Sequence, residues 1–233
     1  MHRALIIVVG LGLSAACSGG CASDDELSDE PCRNDVGPFT GEATYYDAGG
    51  RGNCSFPAGG DLMVAAMNGV DYKGAAWCGS CVAVSGPNGE VTVRIVDSCP
   101  GCDEGDLDLS KEAFAKIANL TAGRVPISWR PTACSVSGPI AYHFKDGSNA
   151  FWTGIQIRNH RYAISSLEVR DAAGAYTKIG RTDYNYFVQT KGLGPGPYTL
   201  RVTDTRANVV EDPAIALGDS VSREGAAQFP MCP

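Results

Sequence analysis

The sequence predicts a mostly-β protein of two units behind an export segment: a compact β unit with one helix over residues 37–134, then a small β-sandwich over 138–230. Three observations carry this. Short runs alternate apolar and polar residues with period two in both stretches, as half-buried strands do. Twenty-nine glycines and 13 prolines punctuate them, which favours turns and short strands over long helices. A chain of 233 residues with 44% hydrophobic residues can fill two small cores.

At the N-terminus, Arg3 precedes an apolar run from Ala4 to Leu13. That run is too short to span a bilayer, which takes about 20 residues. Small residues follow, so residues 1–22 are expected to be an export signal. Two processing routes stay open. One is a lipoprotein-type signal ending before Cys17; the other is cleavage after Gly20-Cys21-Ala22, which leaves an even set of eight cysteines. The expected location is therefore outside the cytoplasm, secreted or lipid-anchored to the envelope, and no second apolar run of spanning length follows. Residues 23–36 hold six acids, one arginine and almost nothing apolar. They read as a solvated acidic tether whose odd member is Cys32.

The first unit starts near Gly37. Val91 to Asp97 alternates, which places Val91, Val93, Ile95 and Asp97 on one face, and Asn88-Gly89 before it is a turn. Ser110 is the expected N-cap of a helix from Lys111 to Leu120, with Phe114, Ile117 and Ala118 as its apolar stripe and Gly123 beyond its end. Val125 to Trp129 reads as a strand. The second unit follows a short linker, Ser135 to Gly138. It shows alternating strands at Ala141–Lys145, Thr153–Arg158, Ser165–Val169 and Tyr198–Asp204, separated by turns at Asp171–Gly174 and Gly192–Pro197. Six to eight short strands without a helix predict a sandwich.

A net charge of -7 argues against broad nucleic-acid binding, which needs a basic surface. The spacing of Cys78-x-x-Cys81 and Cys99-x-x-Cys102 matches a zinc ribbon. Export and the further cysteines at 32, 54, 134 and 232 favour disulfides instead, so no metal site and no cofactor are expected. Spacing leaves the connectivity among the eight open. His143 and His160 sit in strand-rich stretches and read as structural. In Asp106-Leu-Asp-Leu-Ser110 the leucines point one way and Asp106 and Asp108 the other. Asp97 and Asp108 could thus converge on one groove, or simply cap and solvate strand ends.

Further runs give the chain a recognisable character. Ala43-Thr-Tyr-Tyr46, Trp77-Cys-Gly-Ser-Cys81, Val96-Asp-Ser-Cys-Pro-Gly-Cys102 and Leu107-Asp-Leu-Ser110 resemble, in order and spacing, the first domain of expansins. Lys145-Asp-Gly-Ser148, Phe151-Trp152, Ile155 to His160, Asp183-Tyr-Asn185 and Gln228-Phe-Pro230 resemble the second domain of bacterial expansins. The resemblance implies a six-stranded double-psi β-barrel followed by an immunoglobulin-like β-sandwich that binds cellulose. It implies loosening of cell walls without hydrolysis, by a monomer whose partner is a polysaccharide: cellulose, or else xyloglucan or peptidoglycan. By the same resemblance Thr44, Asp97 and Asp108 line the groove together with Tyr46. Cys99 stands where the family often has Tyr, exchanging a stacking ring for a loop staple. Phe151, Trp152 and Tyr184 form a flat aromatic platform with Lys145 beside it; Phe151 stands where Trp is usual. The pairing it implies joins Cys54 to Cys78 and Cys81 to Cys134. Cys99 with Cys102 follows as a loop closure, and Cys32 with Cys232 remains.

The rival expectation is an enzyme, a family-45-like endoglucanase or a lytic transglycosylase with Asp108 as acid. Inverting hydrolysis needs a second carboxylate as base, and the candidate is Asp47, at the end of Ala43-Thr-Tyr-Tyr-Asp47. The plainer expectation is that Asp47 starts the Asp47–Gly50 turn and bonds its own backbone.

Overall fold

The computed structural model describes Cys32 and residues 37–232. The export signal, Cys17 and the rest of the acidic tether lie outside the described residues. The first unit holds β1 (Phe39–Tyr46), β2 (Val64–Asn68), α1 (Gly69–Tyr72), β3 (Cys81–Gly86), β4 (Gly89–Cys99), β5 (Leu107–Ser110), α2 (Lys111–Ile117) and β6 (Val125–Thr132). The strands close into a barrel in the order β1-β5-β2-β4-β3-β6, with β6 pairing back onto β1. Two of the pairs, β1 with β5 and β2 with β4, are parallel.

The barrel closes around alternate residues. Ala43, Ala65, Met67, Val93, Ile95, Leu107 and Leu109 are fully buried and share one core. Helix α2 begins as the sequence predicts: Ser110 Oγ accepts from the amide of Ala113 at 3.1 Å. Phe114 and Ile117 are buried completely, each worth about 1.5–3 kcal/mol of transfer free energy. The helix stops earlier than the apolar stripe suggested. Ala118 turns extended, and Asn119 caps a short 3-10 turn at Leu120–Ala122 through its side chain. An asparagine bonding its own following backbone competes with helix continuation.

One expectation fails instructively. Asp97 does not share the inward face of Val91, Val93 and Ile95. The β2–β4 register runs Ala65 to Ile95, then Ala66 to Asp97, skipping Val96. This β-bulge inserts one residue and reverses the side-chain alternation. Asp97 is thereby turned out of the core, to the face opposite Ala65, Met67 and Ile95.

The second unit holds β7 (Ala141–Phe144), β8 (Thr153–Arg158), β9 (Ile164–Arg170), β10 (Tyr176–Arg181), β11 (Phe187–Gln189), β12 (Tyr198–Asp204), β13 (Val209–Ile215) and β14 (Ser222–Glu224). They form one eight-stranded sheet, β13-β12-β9-β10-β11-β8-β7-β14. Residues from both ends of that order share a core: Tyr142, Phe144 and Ile155 from one end, Leu167, Leu200 and Val202 from the other.

Four disulfides join Cys32–Cys232, Cys54–Cys78, Cys81–Cys134 and Cys99–Cys102, the pairs the resemblance implied. The two Cys-x-x-Cys motifs therefore bind sulfur to sulfur, and the zinc-ribbon alternative has no thiols left to ligate. Among the described residues no cluster of three or more metal-ligating side chains occurs, and no helix is long and apolar enough to cross a membrane.

Hydrogen bonds cross between the units. Gln156 Nε2 and Asn185 Nδ2 both donate to the carbonyl of Cys54, at 2.9 and 3.2 Å. Asn53 Nδ2 and Tyr72 Oη both donate to the carbonyl of Asp183, at 2.8 and 3.1 Å. Arg181 donates to the carbonyl of Ala75 at 3.0 Å. His160 is fully buried, bonds the carbonyl of Tyr162 at 2.7 Å, and is held near pKa 4 chiefly by burial. A neutral buried imidazole of this kind is structural, as expected. Gly79, at φ +77°, leaves its place: a Cβ there would come within 2.5 Å of His160 Nε2.

Candidate functional site

The registers of β1, β5, β2 and β4 put one row of side chains across the outside of the barrel. Thr44 pairs with Asp108, Asp108 with Ala66, and Ala66 with Asp97. Their sequence neighbours Ala43, Leu107, Leu109, Ala65 and Met67 fill the interior. The row is thus carboxyl, methyl, carboxyl and hydroxyl, with the small, buried Ala66 between the two acids. The bulge at Val96 is what admits Asp97 to it.

Thr44 Oγ1 donates to Asp108 Oδ1 at 2.6 Å. Burial raises the pKa of Asp108; the Thr44 hydroxyl and Arg124 oppose the shift, and Asp97 adds to it. Asp97 is fixed from the other side, accepting at Oδ1 from the backbone amides of Asn53 (2.6 Å) and Ser98 (2.8 Å). Tyr46 follows Thr44 by two residues and shares its face. Its phenol is pushed up to about 12, first by burial and then by Asp97 and Asp108. Its Oη is buried and has no hydrogen-bond partner among the described residues. Asp106 plays a different part from Asp108: it is buried and accepts from the amide of Glu42 at 2.7 Å, bracing β1.

Asp47 does not cap its own turn. Its side chain is 86% exposed and pairs with Lys111 Nζ at 2.6 Å. Lys111 opens α2, so the carboxylate is drawn outward to the helix, away from the expected backbone bond. Cys99 closes onto Cys102 and presents no ring to the groove.

The aromatic cluster lies on the second unit. Phe151 is 83% exposed. Asn149 Oδ1 accepts from the amides of Phe151 and Trp152, at 2.8 and 3.2 Å, and fixes this tip. Gly192 backs it, since a Cβ there would come within 2.1 Å of the Ala150 carbonyl oxygen. The Trp152 ring lies over Gly154, where any side chain would meet Trp152 Cη2 at 3.0 Å and Lys145 Cβ at 3.3 Å. Lys145 Nζ stands 5.7 Å from the Tyr186 ring centroid, and Tyr186 is 5.9 Å from Tyr184. Tyr186 is a member that sequence reasoning missed. It is buried and packs beside Tyr184 and Lys145.

Asn53 connects the two places. Its amide holds Asp97, and its side chain holds the carbonyl of Asp183, the residue before Tyr184. Asp97 and the segment before Tyr184 are therefore linked through one residue, by its backbone amide on one side and its side chain on the other. Chemically, the barrel row offers a carboxyl whose pKa burial raises, a second carboxyl fixed by two backbone amides, and a phenol. The second unit offers flat apolar faces suited to the C–H faces of sugar rings.

Comparison with known proteins finds relatives that share both units. A double-psi barrel family model described as lytic transglycolase matches residues 39–129. Expansin-YoaJ of Bacillus subtilis is 37% identical over 201 residues, covering 82% of this chain and 86% of that protein. Expansin-B3 of Arabidopsis thaliana is 30% identical over 194 residues, 71% of this chain and 74% of its own. Expansin-like protein 2 of Dictyostelium discoideum is 31% identical over 203 residues, but the match spans 50% of its length. Among solved structures, a mutant Clavibacter michiganensis expansin in complex with cellohexaose superposes with a TM-score of 0.76 at 34% identity, covering 82% of this chain and 98% of that one.

Proposed function

The chain belongs to the expansin family, and from that premise we propose that it is an exported protein that binds cellulose or related wall glucans and loosens them without hydrolysis. The second unit, read as an immunoglobulin-like carbohydrate-binding sandwich, anchors on the glucan through Phe151, Trp152 and Tyr184, with Lys145 alongside. The barrel groove, with Thr44, Tyr46, Asp97 and Asp108, then acts on a neighbouring stretch of chain. It breaks noncovalent contacts by offering hydroxyls a better set of partners. The cellohexaose complex of the Clavibacter relative supports a glucan ligand.

The observation that carries the non-hydrolytic reading is the Asp47–Lys111 ion pair. An inverting hydrolase needs a base facing its acid across a water, with carboxyls about 6.5–9.5 Å apart. Here the one sequence candidate for that base is engaged outside the Thr44–Asp108–Ala66–Asp97 row. The test is a separation of functions in folded variants. Trp152→Ala is expected to abolish most binding to insoluble cellulose, with Phe151→Ala and Tyr184→Ala weakening it. Asp108→Asn is expected to keep binding and lose wall extension. Binding that survives all three aromatic variants, or extension that survives Asp108→Asn, would remove those residues from the site.

A further inference from the structure

A second cleft opens where the units meet, lined along one side by the 50–61 loop. It encloses about 380 Å³, and Arg94, Val96, Phe56, Pro57 and Asp61 of the barrel face Arg158 of the second unit across it. That volume lies in the range of small-ligand sites.

Arg94 lacks the partners a half-buried guanidinium ordinarily has. Its side chain makes no hydrogen bond to the described residues and no ion pair within 4 Å; Asp61 is near enough only to act through space. Its guanidinium donors are therefore open to an acceptor that enters the cleft. Arg158, by contrast, is braced: its Nε donates to Gln156 Oε1 at 2.5 Å, its guanidinium also bonds the Tyr186 phenol, and Gln156 in turn donates to the Cys54 carbonyl. The two cations come from different units and line the same cleft.

We propose that this cleft is a subsite for a single carboxylate carried on an otherwise neutral glycan. A planar carboxylate matches the guanidinium fork and would take charge-assisted hydrogen bonds from both arginines. Arg94, Arg158 and Asp61 together leave one positive charge, which suits a monoanion. The net charge of -7 on the chain repels long polyanions, so isolated acids are selected over continuous runs of them. Phe56 and Pro57 supply an apolar wall for the sugar ring. The inference rests on the glycan-binding reading above, but on cations other than the groove residues and the three platform rings, Arg158 touching that cluster only through Tyr186.

The test titrates the full mature chain with two carboxylated probes: a xylo-oligosaccharide bearing one glucuronate, and an N-acetylmuramic-acid disaccharide. Each is run beside its carboxyl-reduced, uncharged form. At low salt at least one acid form is expected to bind about tenfold tighter than its reduced form, with the advantage shrinking as salt rises; which acid is preferred identifies the source. Arg94→Gln should erase the advantage, Arg94→Lys should keep part of it, and Arg158→Gln should reduce it. Arg94→Gln should leave cellohexaose binding unchanged and melt no lower than wild type, since that side chain has no bond to lose. Equal binding of acid and reduced forms overturns the proposal, as does an advantage that persists in Arg94→Gln. An advantage that vanishes in Trp152→Ala overturns it too, because the platform would then read the charge. Loss of cellohexaose binding in the wild type would instead count against the proposed glucan function, and so separates the two failures.

Discussion

Replacing Asn53 by alanine should uncouple the groove from the platform. The substitution removes two side-chain hydrogen bonds, to the Asp183 carbonyl at 2.8 Å and to Tyr72 Oη at 3.0 Å. It keeps the backbone amide that holds Asp97 at 2.6 Å. At about 0.5–1.5 kcal/mol per bond the loss is roughly 1–3 kcal/mol. Tyr72 Oη still donates to the Asp183 carbonyl at 3.1 Å, so no acceptor is orphaned and the lower half of that range applies. For a protein of this size, that corresponds to a fall in Tm of about 2–8 °C. The sharper readout is calorimetric titration with cello-oligosaccharides of increasing length. A short oligomer that engages only the platform should bind Asn53→Ala as it binds wild type. The extra affinity gained by longer oligomers, which need platform and groove in register, should shrink in the mutant. Wild-type melting together with an unchanged length dependence would show that Asn53 does not set that register.

Three further outcomes follow from the same geometry. Cellulose binding should change little with salt, because stacking on aromatic faces carries little charge dependence; a steep salt dependence in pull-down assays would contradict it. Burial raises the Asp108 pKa, so the folded chain keeps that proton to higher pH than the unfolded chain. The ionised form is the one folding disfavours, and the penalty is full above the raised pKa and absent below the ordinary carboxylate range. Asp108→Asn should therefore melt above wild type near neutral pH and lose that margin on acidification, as thermal unfolding across pH would reveal. Removing Cys81–Cys134, which closes a separation of 53 residues, should cost about 4 kcal/mol by chain entropy. The Cys99–Cys102 closure, with a separation of 3, should cost far less in denaturant titrations.

What the sequence discloses and what it hides divide along physical lines. Strands Thr153–Arg158 and Tyr198–Asp204 were legible because each alternates cleanly, and the Ser110 cap because side-chain chemistry alone defines it. The early end of α2 was hidden by an apolar stripe that continues past the asparagine that breaks it. The bulge at Val96 leaves no compositional mark, so plain period-two counting pointed Asp97 into the core. It takes the strand register to place Asp97 beside Ala66 and Asp108. Strands β10 and β13 escaped notice because their exposed positions blur the alternation. The clasp was beyond reach for another reason: Asn53 and Asp183 are 130 residues apart, and an amide meeting a distant carbonyl has no local pattern. Asp47 follows the same logic, since its choice of Lys111 over its own turn depends on where α2 docks. Thr44, Tyr46, Trp152 and Tyr184 were reached through family resemblance rather than periodicity, which could not have told platform from core.

If the chain loosens glucan without cleaving it, purified mature protein on cellulose, β-glucan, xyloglucan and peptidoglycan, followed for binding, wall extension and soluble sugar release together, should bind and extend with no soluble sugar above background. Steady sugar release that disappears in both Asp47→Asn and Asp108→Asn would contradict it and make the protein a glycoside hydrolase.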